Sequence, residues 1–291
     1  MSTSESRYLI PDGVLLDITT RCPHKCAYCY HQKKSLLKPA DMSTETFDSI
    51  IPILKKEKFH RILLFMSGEP ILHPSFYYFL KRCGEGGFET TVATKAGLSI
   101  NWNKIKTAQK AFQKGRAVLK WLIECPAVNQ ETADHICNID LEKQKENLRM
   151  FGKMEKSRAY KNITWKVRTI VTKWNENELA KIGKEMKRMG FSNWKPKTPG
   201  YFIAKLEDDN DWMPSNRYNR RLKVGPKRCP FPRNAAISTE GNVSICCHDM
   251  LFKYNLGNMV ERGSLKKILL ENKDLMRRRL SKKIDICKFC N

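Results

Sequence analysis

The chain has 291 residues, and its 54 lysines and arginines against 30 aspartates and glutamates give a formal net charge of +24. A hydrophobic content of 41% is enough to bury a core, which excludes a chain that is disordered as a whole. Its apolar runs, such as residues 62–66, are too short to cross a bilayer, and no secretory signal is evident, so the sequence predicts a cytoplasmic protein without membrane contact.

The first 200 residues alternate between short apolar runs typical of strands and longer amphipathic patterns typical of helices. The predicted strands cover residues 14–19, 61–66, 90–94, 118–123, 163–171 and 194–202. The predicted helices between them cover residues 43–56, 75–81, 103–113, 141–154 and 176–189. This alternation predicts an α/β fold of six βα units on a parallel sheet. Periodicity does not choose between a doubly wound sheet and an open barrel.

The composition changes at residue 207, where an acidic, turn-rich segment is followed by a strongly basic one. We interpret residues 207–228 as a bridge between a first domain, 1–206, and a second domain, 229–291. A hairpin at 235–238 and 243–246 and a helix at 264–280 predict a small α+β fold for the second domain.

Eleven cysteines without a secretory signal favour metal ligands in a reducing compartment over disulfides. Three of them, Cys22, Cys26 and Cys29, stand in one short loop with spacings of three and two residues. Three thiolates leave one metal position open, whereas a structural zinc site needs four protein ligands. The alternative is therefore a zinc site completed by His24 or His31.

The sequence Cys-Pro-His-Lys-Cys-Ala-Tyr-Cys at 22–29 resembles the signature of the radical S-adenosylmethionine (radical SAM) superfamily. A second motif, Met-Ser-Gly-Glu-Pro at 66–70, follows the second predicted strand, where that family has a Gly-Gly-Glu-Pro turn. The resemblance covers roughly the first 200 residues. It implies a partial parallel (β/α)6 barrel of the TIM type, which agrees with the predicted βα units.

The resemblance also implies a division of roles. Cys22, Cys26 and Cys29 would hold a 4Fe-4S cluster whose fourth iron binds SAM. Reductive cleavage of SAM would give a 5′-deoxyadenosyl radical that removes a hydrogen atom from substrate, with flavodoxin or ferredoxin as the electron donor. The SAM-binding residues implied on the loop and the turn are Tyr28, Ser67, Gly68, Glu69 and Pro70.

Residues at the ends of the third and fourth strands differ from the family pattern, and the fifth strand adds a further candidate residue. The fourth strand ends in Glu124 and Cys125, and both are candidate catalytic residues: Glu124 could meet the SAM ribose or the substrate, and Cys125 could return a hydrogen atom to a substrate radical. On the fifth strand, Arg168 is a candidate partner for the SAM carboxylate, or else an exposed strand cation. Lys95 stands where many relatives have asparagine, so no role is carried over to it.

The C-terminal cysteines resemble the auxiliary-cluster extension of radical SAM enzymes, in its short "twitch" form rather than the full seven-cysteine SPASM form. Four thiolates suffice for a second, closed 4Fe-4S cluster, and the alternative is a structural zinc. Cys247 is predicted to lie on the opposite strand face and to be a spare. The predicted ligands are Cys229, Cys246, Cys287 and Cys290.

The charge pattern suggests an anionic substrate. Residues 212–239 contain seven basic residues and no acidic one. A second basic run comprises Lys104, Lys106, Lys110, Lys114, Arg116 and Lys120. Basic residues interleaved with aromatics suit phosphates and bases, which predicts a nucleic-acid base or a nucleotide-linked group as substrate.

The alternative function is a dehydrogenase, epimerase or cross-linking enzyme that acts on a small molecule or a ribosomal peptide. Cys22 lies so near the start that no fused leader-binding domain is expected, which disfavours the peptide. A plain electron carrier or zinc-binding module is disfavoured by the turn at 67–70, because neither needs a SAM site. The sequence does not determine the oligomeric state.

Overall fold

The structure is a computed structural model that describes residues 10–29, 37–115, 117–157, 159–198, 211–216 and 234–289. Of the predicted bridge, only residues 211–216 lie within these ranges. The basic residues within 217–233 lie outside them, as do Arg116, Cys229, Cys290 and His31.

The described strands form one nine-stranded sheet in the order β6-β5-β4-β3-β2-β1-β7-β8-β9. The bounds are β1 (Gly13–Leu16), β2 (Arg61–Leu63), β3 (Glu89–Thr94), β4 (Leu119–Glu124), β5 (Ile163–Ile170), β6 (Trp194–Lys197), β7 (Asn234–Ile237), β8 (Asn242–Ser244) and β9 (Asn255–Asn258). Strands β1 to β6 are parallel, and each lies beside its predecessor in the chain. A doubly wound sheet would reverse direction from its first strand, so the partial barrel is confirmed.

In the described residues, six helices surround the barrel and three belong to the C-terminal region. Their bounds are α1 (Thr44–Lys56), α2 (Phe76–Glu85), α3 (Trp102–Lys114), α4 (Gln130–Cys137), α5 (Leu141–Ser157), α6 (Leu179–Met189), α7 (Met259–Arg262), α8 (Leu265–Glu271) and α9 (Lys273–Leu280). None of the helices in the described ranges has both the length and the apolar character needed to cross a bilayer.

The two faces of the barrel strands carry different residues. Alternate residues such as Val14, Ile62, Val92 and Val167 are fully buried against the helices. The other face of β5 carries Thr164 and Lys166, which are exposed, and the half-buried Arg168. The helices therefore cover the apolar face, and the concave inner face is polar and partly charged.

The C-terminal region continues the barrel sheet. Strand β7 pairs in parallel with β1 from Gly13↔Asn234 to Leu16↔Ile237, and the antiparallel hairpin extends outward from it. A second connection is made by Glu57, after α1, whose carboxylate accepts hydrogen bonds from the amides of Leu265 (3.0 Å) and Lys266 (3.1 Å) at the start of α8. The barrel and the C-terminal region thus share both a sheet and a helix cap.

Two features of the helices differ from the sequence prediction. Helix α4 is not predicted; it begins after Asn129, whose side chain caps it by accepting from the Thr132 amide. The predicted helix 264–280 is broken at Asn272, whose side-chain amide donates to the carbonyls of Leu256 (3.2 Å) and Ile268 (2.9 Å). This tertiary contact to β9 fixes the break between α8 and α9.

Candidate active site

The cysteine loop follows β1 and is held by hydrogen bonds on two sides. On one side, Thr20 donates from its amide to the Ala40 carbonyl at 2.9 Å. On the other, the Ala27 amide donates to the Ile136 carbonyl at 2.7 Å, at the end of α4. The loop is therefore fixed at the carboxyl edge of the parallel strands, where active sites of barrel enzymes are built.

The turn at 67–70 packs directly on the cysteine loop. The Glu69 amide donates to the Arg21 carbonyl at 2.9 Å, and the Ser67 amide donates to Asp17 Oδ1 at 3.1 Å. A Cβ atom at Gly68 would lie 2.3 Å from the Thr19 carbonyl oxygen, so only glycine allows this approach. The two sequence motifs form one structural unit.

The side chain of Glu69 binds protein backbone. Its Oε2 atom accepts from the Lys95 amide at 3.0 Å, and its Oε1 atom accepts from the Ile71 amide at 3.3 Å. Burial raises the pKa of the Glu69 carboxyl above its usual range, while these N–H donors oppose the rise. The buried His24 ring places Nε2 3.9 Å from Glu69 Oε2.

Glu124 is the centre of a buried charged network above the cysteine loop. Lys95 Nζ lies 2.5 Å from Glu124 Oε1 and 2.9 Å from the Tyr28 hydroxyl, which itself donates to Glu124. Arg168 Nη2 lies 3.4 Å from Glu124 Oε2. The structure thus brings together Tyr28, Glu124 and Arg168 and adds Lys95, which the sequence analysis left without a role.

Neighbouring charged groups determine the protonation states of Glu124 and Lys95. Burial alone would raise the pKa of Glu124, but the positive charges of Lys95 and Arg168 lower it to about 2. Burial would lower the pKa of Lys95, but negative neighbours, Glu124 among them, raise it well above its ordinary value. Glu124 is therefore an anion and Lys95 a cation at neutral pH.

Two amides on α5 hold the ends of β3 and β4 in place. Gln144 Nε2 donates to the carbonyls of Lys95 (2.5 Å) and Glu124 (2.9 Å). Asn147 Nδ2 donates to the carbonyls of Ala96 (2.8 Å) and Leu98 (2.7 Å). Both side chains are buried, so they position the backbone that carries Lys95 and Glu124.

Residues 16–186 match the radical SAM superfamily, and residues 229–291 match the SPASM family, an iron–sulfur cluster-binding domain. The first match spans more than half of the chain and contains both sequence motifs. The chain belongs to the radical SAM superfamily. No curated protein sequence shows significant similarity to it.

Solved structures of similar fold support this assignment. The structure of anSMEcpe with bound AdoMet and Cp18Cys peptide has a TM-score of 0.65 at 15% identity and covers 96% of this chain and 86% of that one. BtrN in complex with AdoMet and 2-DOIA has a TM-score of 0.61 at 14% identity, covering 97% and 93%. Streptococcus suis SuiB bound to the precursor peptide SuiA has a TM-score of 0.61 at 12% identity, covering 89% and 64%. At these identities the likeness concerns the fold.

A radical SAM enzyme binds SAM and a 4Fe-4S cluster, and the cysteine loop has the donors for the cluster. Cys26 is buried, and Cys22 and Cys29 are half-buried. Burial, with smaller contributions from Cys26 and Cys29, raises the pKa of Cys22 to about 12. Three thiols in one loop suit ligation of three irons.

In this conformation the cluster thiols have not converged. The neighbouring Cys137, at the end of α4, lowers the pKa of the Cys26 thiol. Within the described ranges, no three side chains of His, Cys, Asp or Glu lie close enough together to hold a single metal ion.

The described C-terminal cysteines lie together near α9. Cys246 and Cys287 are both buried, and the Cys287 thiol donates to the Arg279 carbonyl at 3.9 Å. The pKa of Cys246 is lowered to about 7, first by a hydrogen bond from Cys247 and also by the charge of Arg279. This arrangement has the thiol chemistry that a SPASM domain uses for its iron–sulfur cluster.

The prediction that Cys247 faces away from Cys246 is wrong. It assumed strand alternation, but β8 ends at Ser244, so alternation does not apply to residues 245–247. The two thiols are hydrogen-bonded to each other.

Cys125 does not join the group around Glu124. It is 1% exposed, lies in the apolar core, and its thiol donates to the Ala127 carbonyl at 3.5 Å. Cys125 follows the last residue of β4 and packs in the apolar core, whereas Glu124 bonds to Lys95 and Arg168. The placement of Cys125 gives no support to a role in hydrogen-atom return.

The second basic run is split between two surfaces. Lys104, Lys106, Lys110 and Lys114 are exposed on α3, outside the barrel. Lys120 is on the inner face of β4 and forms an ion pair with Glu89 at 2.7 Å. The run therefore does not form one phosphate-binding surface at the active site.

The places of Lys95 and Gln144 in this network were not predicted from the sequence. Lys95 directly follows the third strand, a position at which polar residues gather in barrel enzymes, and this signal was available. Gln144 carried no such signal, because a polar residue on an amphipathic helix is ordinarily exposed.

Proposed function

We propose that this radical SAM enzyme is an oxidoreductase that removes a hydrogen atom from a carbon of a small molecule or a peptide. The observation that supports it is the junction of the cysteine loop with the 67–70 turn, joined by the Glu69–Arg21 backbone bond and facing the charged Glu124 network. When bound, the cluster and SAM supply one-electron cleavage to a 5′-deoxyadenosyl radical.

In this proposal the protein side chains bind and orient. Cys22, Cys26 and Cys29 hold the cluster, and the backbone of Ser67, Gly68, Glu69 and Pro70 receives the SAM amino group. Tyr28 and Glu124 lie at the centre of the site. Glu124 is ionised at neutral pH and can accept hydrogen bonds from hydroxyl groups of SAM or substrate. Arg168 offers a guanidinium to the SAM carboxylate.

The SPASM domain provides the reason for proposing an oxidation. Four thiolates, from Cys229, Cys246, Cys287 and Cys290, would saturate an auxiliary 4Fe-4S cluster. A saturated cluster has no open iron for substrate and suits electron transfer. An auxiliary cluster near the barrel could accept the second electron when a substrate radical is oxidised.

The choice of substrate class is guided by the structural neighbours. BtrN was solved with 2-DOIA, and anSMEcpe and SuiB were solved with peptides. The α3 lysines lie outside the barrel, so this part of the basic pattern does not support a nucleic-acid substrate at the active site. We therefore favour the small-molecule or peptide substrate.

The proposal is tested by anaerobic reconstitution of the full chain with iron and sulfide, followed by incubation with SAM and dithionite. The expected product is 5′-deoxyadenosine, detected by mass spectrometry, together with methionine. The matched control is the Cys22→Ala/Cys26→Ala/Cys29→Ala variant, in which the product should be absent. Equal amounts of 5′-deoxyadenosine from both proteins would contradict the proposal.

A further inference from the structure

The inner face of β5 and β6 presents a row of cations. Strand register places Arg168 opposite Lys195 and Ile170 opposite Lys197. Residues opposite each other in a parallel pair share a face, and Lys166 is two residues before Arg168 on the same side. We call Lys166, Lys195 and Lys197 the lysine wall. Lys166 and Lys195 are exposed, and Lys197 is half-buried.

The lysine wall lacks neutralising carboxylates. In the part of the chain that the structure describes, no Asp or Glu oxygen lies within 4.0 Å of any of its three ammonium groups. The neighbouring Lys120, on the same inner face, does have such a partner in Glu89. Glu124, on the same inner face, is already shared by Lys95 and Arg168. Among the described residues, no carboxylate therefore compensates the charge of the lysine wall.

Two further observations describe the excess of positive charge on this face. The Nε atom of Arg168 is buried and has no hydrogen-bond acceptor among the described residues. The pKa of Lys197 is lowered by burial and by the positive charges of Arg168 and Lys166, although Glu124 opposes this. Holding like charges together destabilises the fold unless a bound anion relieves the repulsion.

The lysine wall lies on the substrate side of the site. Strand β6 lies at the far end of the barrel sheet from β1, which precedes the cysteine loop, whereas the SAM-binding turn follows β2. Lys195 is opposite Arg168 in the register, and Arg168 is opposite Glu124 on β4. The lysine wall therefore lies beside Glu124 on the inner face of the barrel.

We propose that the lysine wall binds an anionic group of the substrate, either a carboxylate or a phosphate, and so orients the carbon that loses hydrogen. The proposal rests on the proposed function for the reaction that follows. The binding itself can be measured without it. Three cations on adjacent strands, without a carboxylate partner among the described residues, would bind an oxyanion in preference to a neutral group. This binding would weaken as the salt concentration rises.

The test is lysine footprinting on the reconstituted full chain, with acetylation by an activated ester and readout by mass spectrometry. The probes are inorganic phosphate and glutarate, and Lys104 and Lys106 on the outer face of α3 serve as internal controls. We expect one probe to slow acetylation of Lys195 and Lys197 by about fivefold and to leave the α3 lysines unchanged. The protecting probe identifies the anionic group. Protection by neither probe, or equal protection of the α3 lysines, would overturn the proposal.

A variant separates this site from the SAM site. We expect Lys195→Gln/Lys197→Gln to abolish protection of Lys166 and to keep SAM affinity within about twofold of the parent, with Lys104→Gln/Lys106→Gln as matched control. A tenfold loss of SAM affinity in the wall variant alone would assign the wall to SAM and overturn the proposal. Failure of the parent to form 5′-deoxyadenosine would instead overturn the proposed function and leave the footprint result standing.

Discussion

Among single residues, Glu124 stabilises the site by neutralising the buried Lys95 and the half-buried Arg168. Its carboxylate contacts Lys95 Nζ and Arg168 Nη2 and accepts a hydrogen bond from the Tyr28 hydroxyl. A buried ion pair costs much desolvation to form, yet breaking it by removing one partner leaves an uncompensated charge. The consequence is that Glu124 matters for stability as well as for the proposed binding of SAM.

We expect Glu124→Gln to lower the free energy of unfolding by about 3 kcal/mol, because Lys95 keeps its charge and loses its counterion. The measurement is urea denaturation. The matched control is Glu89→Gln, which breaks the half-exposed Lys120 pair on the same face and should cost less than about 1 kcal/mol. Equal losses in the two variants would contradict the buried network.

The same carboxylate predicts a pH dependence. The folded-state pKa of Glu124 is about 2, below its ordinary value of 4.5, so the unfolded state binds this proton first as pH falls. Its contribution to stability is fully present above about pH 4.5 and is lost toward pH 2. In Glu124→Gln, the free energy of unfolding should fall less between pH 4.5 and pH 2 than in the parent. The same dependence on pH in both proteins would show that Glu124 does not cause the loss.

Glu69 combines a structural role with the proposed binding of SAM. Glu69→Ala would leave the buried amides of Lys95 and Ile71 without an acceptor, and we expect a loss of about 2 kcal/mol in stability together with weaker SAM binding. Both clusters should still assemble, because no iron ligand changes. The measurements are thermal unfolding, SAM titration and iron content, with the exposed Glu85→Ala as control. Unchanged SAM affinity would exclude Glu69 from the site.

At the scale of elements, α5 acts as a clamp on the ends of β3 and β4. We expect Gln144→Leu to destabilise the fold by about 2 kcal/mol, because the carbonyls of Lys95 and Glu124 lose their shared donor in a buried place. The control is Gln113→Leu, whose side chain donates to the Ala159 carbonyl at an exposed position and should change stability little. The measurement is urea denaturation of both variants. An unchanged free energy of unfolding in Gln144→Leu would show that the side chain does not stabilise these strand ends.

The elements also mark the limits of local prediction. The six barrel strands were predicted from their apolar patterns, because each buries one face against helices. Helix α4 was missed, and the break at Asn272 was missed too, because that residue bonds to a strand 16 positions away in sequence. Local sequence patterns indicate which residues become buried. They do not indicate contacts between segments that are distant in the chain.

At the scale of the whole molecule, the two cysteine groups lie on different parts of the chain. We expect Cys22→Ala/Cys26→Ala/Cys29→Ala to retain about four irons, because the C-terminal cysteines do not depend on the loop. The measurement is iron and zinc content after anaerobic reconstitution. Zinc in place of iron in this variant would exclude an auxiliary iron–sulfur cluster.

The sequence by itself determined the family, the α/β class and the two motifs that meet at the site. Spacing sufficed for these conclusions, because the cysteines and the Gly68-Glu69 turn each stand at the end of a predicted strand, and strand ends in a parallel sheet share one edge. Glu124 and Arg168 were found by the same argument, from their places on the fourth and fifth strands.

Only the tertiary structure decided how these residues act on each other. It placed Lys95 against Glu124, turned Cys125 into the core, joined Cys246 to Cys247, and aligned the lysine wall across β5 and β6. It also showed that the C-terminal region extends the barrel sheet through β7 and β1. These outcomes depend on strand register and on distances between segments far apart in the chain, and periodicity within one segment carries no information about either.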